Sequence, residues 1–216
     1  MSMDPNGSWL EEQLFDRRIV LCRGVLDDTL AGRVAAELMA LDALGDEAVE
    51  LRLDGEGASL EAAWSLVDVI DLLGVPVNII CSGRVDGAAV GLLTTAGRRT
   101  ALPHARFRLR DPELEISGRA SELAGLLAHH TATLDRLHER IATSTGHRLA
   151  DVAEDFRSGR ALDAEGALAY RLVDEIAGAS VPIRQIGVPR RHPITTRKPP
   201  SNGPLGFRPG TRPGDC

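Results

Sequence analysis

Short apolar runs alternate along this chain with longer stretches whose apolar residues recur every three to four positions. Residues 19–25 form an apolar run of strand length. Asp27-Asp28 then stands where a helix cap belongs, ahead of a helical pattern over residues 29–44. A second strand is predicted over 49–53, closing on Asp54-Gly55-Glu56-Gly57. Ser59 caps a helix that runs to Leu73 and stops at Gly74-Val75-Pro76. A third strand over 77–81 leads into a small-residue helix from Gly87. Apolar strands alternating with helices predict parallel pairing and an α/β class.

Beyond Gly97 the pattern predicts two short strand pieces, 100–102 and 106–109, then a helix over 120–144. Its apolar stripe includes Leu123, Leu126, Leu127, Leu134, Leu137 and Ile141. Such a stripe covers either the chain's own sheet or a neighbour's surface, and the pattern leaves both open. Helices over 149–156 and 164–170 follow. From Arg184 onward, seven prolines and five glycines interrupt any periodicity, and a disordered tail is expected. The organisation read from sequence is a short flexible N-terminus (1–9), one folded domain (10–183) and a basic tail (184–216).

The charge is divided unevenly. The tail holds seven basic residues and one acidic one, so a net charge of -6 leaves the preceding body about twelve charges negative. An acidic body argues against nucleic-acid binding by the folded part. Three cysteines cannot build a disulfide framework, and Cys22 and Cys81 lie in apolar runs, which suits a reducing, cytoplasmic setting. No signal peptide and no membrane span is expected. His129 and His130, adjacent on a helix, point about 100° apart, and His138 adds no third ligand, so neither a metal nor another cofactor is predicted.

The stretch richest in chemistry is Ile80-Cys81-Ser82-Gly83-Arg84-Val85-Asp86-Gly87-Ala88-Ala89-Val90-Gly91-Leu92-Leu93. A strand passing through a tight turn into a small-residue helix is the layout of a nucleophile turn above a backbone oxyanion site. The position that should carry a hydroxyl is Gly87.

Several motifs in order resemble the proteolytic subunit of the ATP-dependent Clp protease, over roughly residues 10–178. Leu53-Asp54-Gly55-Glu56-Gly57-Ala58 stands for Ile-Asn-Ser-Pro-Gly-Gly, and Ile80-Cys81-Ser82-Gly83 for Ile-Cys-Met-Gly. Leu102-Pro103-His104-Ala105-Arg106 stands for Leu-Pro-Asn-Ser-Arg. Ala167-Leu168-Ala169-Tyr170-Arg171-Leu172-Val173-Asp174 stands for the family's closing Ala-Val-Glu-Tyr-Gly-Leu-Val-Asp. The resemblance implies a crotonase-like α/β fold of repeated β-α units, with a protruding strand-helix handle over residues 113–144.

It also implies a site without its chemistry. Gly87 takes the serine position, Arg110 the histidine position and Gly159 the aspartate position. Acyl transfer of this kind needs a nucleophile and a base, and a guanidinium stays protonated. Gly57, Ala58 and Ala88 match the oxyanion-facing backbone. Asp86 and Arg110 either fill the pocket as an ion pair or Arg110 extends to solvent. Ser82 precedes the turn and is not expected to act, and His104 is expected at the surface.

The reading that follows is a non-catalytic subunit with a structural or regulatory role in a Clp-type ring. Its partners would be copies of itself or a catalytic subunit. The matched region begins near Trp9-Leu10, so direct docking of a Clp ATPase is not expected. Two alternatives stay open. One is a crotonase-like acyl-thioester enzyme working through a backbone oxyanion hole with Asp86, Glu56 or Asp111. The other is an active serine endopeptidase, should the match be misplaced.

Overall fold

The computed structural model describes residues 5–112 and 119–178. The expected handle strand, 113–118, and the expected tail, 184–216, lie outside the described residues.

Helix α1 (Pro5–Phe15) opens the fold, beginning inside the stretch 1–9 read from sequence as a short flexible N-terminus and ending in the domain read from residue 10. Then come β1 (Ile19–Leu26), α2 (Asp28–Leu44), β2 (Val49–Ala58), α3 (Leu60–Leu72) and β3 (Val77–Asp86). The predicted caps form as hydrogen bonds: Leu30 N–H donates to Asp27 Oδ1 at 2.8 Å, and Ala62 N–H to Ser59 Oγ at 3.0 Å. The small-residue segment Gly87–Thr94 is 3₁₀ and not α-helical. After it come β4 (Arg98–Ala101), β5 (Arg106–Arg108), α4 (Ala120–Thr145), α5 (Leu149–Ser158), β6 (Ala161–Asp163), α6 (Ala164–Ala169) and β7 (Glu175–Ile176).

The described strands make one sheet in the order β1-β2-β3-β4-β7, with β5 branching off the far end of β3 and β6 beside it. All pairs are parallel except β5 with β6. The parallel α/β expectation therefore holds. Alternate residues of β1, β2 and β3 (Val20, Cys22, Leu51, Leu53, Ile79, Cys81) are buried against Leu38, Leu66 and Leu92. Strand β3 pairs with β4 along 78–81 and with β5 along 84–86. That split carries its end away from the main sheet and into the candidate site.

Candidate functional site

Asp54 prepares the turn. Its Oδ1 accepts the Arg84 N–H at 3.0 Å, where Gly83 adopts φ +59. Two residues later Asp86 ends β3, and Gly87 turns the chain at φ +61, a region that favours glycine. Residues from Gly87 to Leu93 are buried. The sharp strand-to-helix turn thus sits at the predicted residue, and that residue has no side chain.

A methyl carbon built on Gly87 would lie 3.5 Å from the Arg110 carbonyl oxygen and 4.0 Å from its Cγ. One built on Gly57 would lie 3.6 Å from Arg110 Nη2. Arg110 therefore runs past Gly87 and brings its guanidinium beside Gly57. Ala88 is buried next to Gly87, and Ala58 is half-buried at the end of β2, paired with Leu26 of β1. Gly159 caps α5 at φ +70, and a methyl carbon there would meet Arg108 Nη2 at 3.6 Å. The third position lies against Arg108, the last residue of β5, two residues before Arg110.

Asp86 is buried, with 6% of its surface exposed. Burial pushes its carboxyl above the usual carboxylate range, while Arg84, Arg110 and Arg108 pull it down. Arg110 is among the charges that pull the Asp86 carboxyl down, no ion pair joins the two among the described residues, and Arg110 is itself engaged. Register sets Asp86 of β3 opposite Arg108 of β5, and Arg110 leans toward Gly87 and Gly57. Ser82 is half-buried before the turn, and His104 is exposed in the loop before β5.

The sequence reading missed one pair. His138 of α4 is buried, with its Nε2 3.4 Å from Asp111 Oδ1 and its ring tilted against Phe156 at 4.7 Å between centroids. Burial lowers its pKa, while Asp111 and Asp135 oppose the shift. The available signal was a histidine inside the stripe formed by Leu134, Leu137 and Ile141. No set of three metal-ligating side chains occurs among the described residues.

The sequence profile of the Clp protease family matches residues 6–180. The chain belongs to the Clp protease family. It is 34% identical over 169 residues to a putative ATP-dependent Clp protease proteolytic subunit-like protein of Streptomyces coelicolor, covering 76% of this chain and 80% of that one. To ATP-dependent Clp protease proteolytic subunit 3 of the same organism it is 31% identical over 186 residues, covering 84% and 85%. To proteolytic subunit 1 of Thermobifida fusca it is 28% identical over 168 residues, covering 76% of each chain. Within this Clp family member, the strand-turn-3₁₀ framework is built, and the groups lining it are glycine backbone, one buried carboxyl and a run of guanidinium groups. No described helix is long and apolar enough to cross a membrane.

Proposed function

We propose that this chain is a non-catalytic Clp-type subunit with a structural or regulatory role in a proteolytic ring. The observation that supports this most is the pairing of Gly87 with Arg110: a nucleophile turn without a hydroxyl, facing a cation that cannot accept a proton. Loss of triad members costs on the order of 10⁴ to 10⁶ in rate. Assembly is supported by Leu126 and Leu127 on α4, which are 50% and 55% exposed. Cytoplasmic residence suits two buried thiols, with Cys22 pushed up to about 11 by burial and Cys81 pushed up further. The residues from 184 on are proposed as a tail dispensable for folding. Limited proteolysis should remove it, and a large drop in Tm on its deletion would contradict that.

The decisive test adds the purified chain to a catalytic Clp subunit from the same source and follows native mass and peptidase turnover. Mixed assembly with no turnover by this chain alone is expected. Labelling of a unique serine by a phosphonate probe, with turnover lost when that serine is replaced, would refute the proposal. Gly87→Ser alone should stay inactive, because Arg110 offers no base. It should also lose about 1 kcal/mol of stability at this positive φ.

A further inference from the structure

The solvent side of β5 carries arginine at every second position: Arg106, Arg108 and, just past the strand, Arg110. Phe107 and Leu109 between them are buried. Register places Arg106 directly beside Arg84 of β3 on one flank and Asp163 of β6 on the other. Arg108 is set between Asp86 and Ala161. Arg84, Asp86, Arg106, Arg108, Ala161 and Asp163 line a cleft of about 460 Å³ across the three strands.

Like charges at directly paired sheet positions destabilise the sheet that holds them. Arg84 has a partner in Glu56, at 3.3 Å. Within the described residues no hydrogen bond or ion pair engages the side chain of Arg106 or Arg108, and both are exposed. The Asp163 carboxylate is committed to capping α6, accepting the Gly166 N–H at 2.8 Å. Asp86 lies opposite Arg108, and its carboxyl is shared with Arg84. The cleft therefore presents two guanidinium groups, those of Arg106 and Arg108, whose N–H donors are not taken up by any hydrogen bond or ion pair among the described residues, in a fixed, strand-spaced array.

We propose that this cleft binds an extended acidic peptide segment, whose alternate carboxylates meet Arg106 and Arg108 and approach Arg84. The spacing carries the choice. Positions two apart on β5 are separated by about 6.6 Å, which is also the separation of alternate side chains on an extended peptide. Guanidinium groups take carboxylates through paired N–H donors, so an in-register acidic strand satisfies both arginines together. Binding does not depend on whether the chain cleaves anything or joins a ring.

Fluorescence anisotropy on the full chain tests this, using a labelled peptide with Glu at alternate positions and its Gln counterpart. The Glu peptide should bind, the Gln peptide should not, and raising salt from about 20 mM to about 500 mM should weaken binding severalfold. Arg106→Ala with Arg108→Ala should reduce affinity about tenfold or more while changing Tm by only a few degrees, since neither exposed side chain makes a hydrogen bond or ion pair among the described residues. Asp163→Asn keeps a capping oxygen, removes a competing charge and should tighten binding. Arg190→Ala with Arg191→Ala, in the basic C-terminal region, should change nothing. Equal binding of the Gln peptide, or undiminished binding by the double arginine variant, would overturn the proposal. So would loss of binding in the Arg190/Arg191 control, or displacement of the peptide by tripolyphosphate at far lower concentration than by the unlabelled peptide.

Discussion

The two halves of α4 differ in what they touch. Toward the C-terminus, Leu137 and Ile141 are buried in the core, and Leu137 lies so close to Gly91 that a β-carbon there would collide with it. Arg140 fixes the same half by hydrogen bonds to Asp71 Oδ1 at 2.7 Å and Thr94 Oγ1 at 2.6 Å. Toward the N-terminus, Leu126 and Leu127 stand exposed and Leu123 is half-buried. At 26 residues the helix is about 39 Å long, and its own domain covers the later part. The apolar stripe is thus divided: its later part covers the chain's own 3₁₀ segment and α5, and Leu126 and Leu127 in its earlier part are exposed.

The largest effect should come from the buried half. Leu137→Ala should cost about 2 to 5 kcal/mol, read as a lower denaturation midpoint, because it empties the contact with Gly91 and the 3₁₀ segment. A cost under about 1 kcal/mol would mean that α4 packs loosely on the body. In the exposed half, Leu126→Ser with Leu127→Ser should leave Tm within a few degrees and reduce assembly in light scattering. A large Tm loss with unchanged mass would reverse the assignment of the two halves.

The smallest effect concerns His138 and pH. Burial lowers its folded pKa below the ordinary 6.5, so the unfolded chain takes up the proton first. Stability should be full above about pH 6.5 and decline as pH falls through 6.5 toward the folded value. Asp111 and Asp135 face the ring and oppose the shift, and Arg157 adds to it. Asp111→Asn should steepen the decline, and His138→Gln should flatten it. A wild-type Tm that is level between pH 7.5 and 5.5 would remove this role for His138.

The fold was legible wherever a cap preceded a periodic run, as at Asp27 and Ser59. Helix α1 was not, because Pro-Asn-Gly-Ser gives its first turn no apolar stripe. Strands β2 and β3 run on through Asp54–Ala58 and Ser82–Asp86, whose polar and glycine residues read as turns. Their pairing comes from the neighbouring strands: Arg23 opposite Asp54, Gly24 opposite Gly55, Gly55 opposite Val85. Strands β6 and β7, at 3 and 2 residues, are too short to leave a pattern. In the site, the turn at Gly87 and its nearness to Arg110 were legible from motif order. The placement of Gly159 against Arg108 and the His138–Asp111 contact were not, since both depend on where α5 and α4 come to lie beside residues 108–111.

Strand β7 joins β4 at Thr100–Glu175 and Ala101–Ile176, and the Arg99 guanidinium binds both carboxylate oxygens of Asp174. These partners are separated by 75 positions in sequence. During synthesis, β1 to β4 can pair as they emerge, but the outer edge of β4 stays open until residue 176 has been made. A product broken off before Asp174 would carry an unpaired parallel edge, the kind of surface that recruits foreign strands and quality-control machinery. Covering of the outer edge of β4 therefore waits for residues 174–176, long after β1 to β4 have been made.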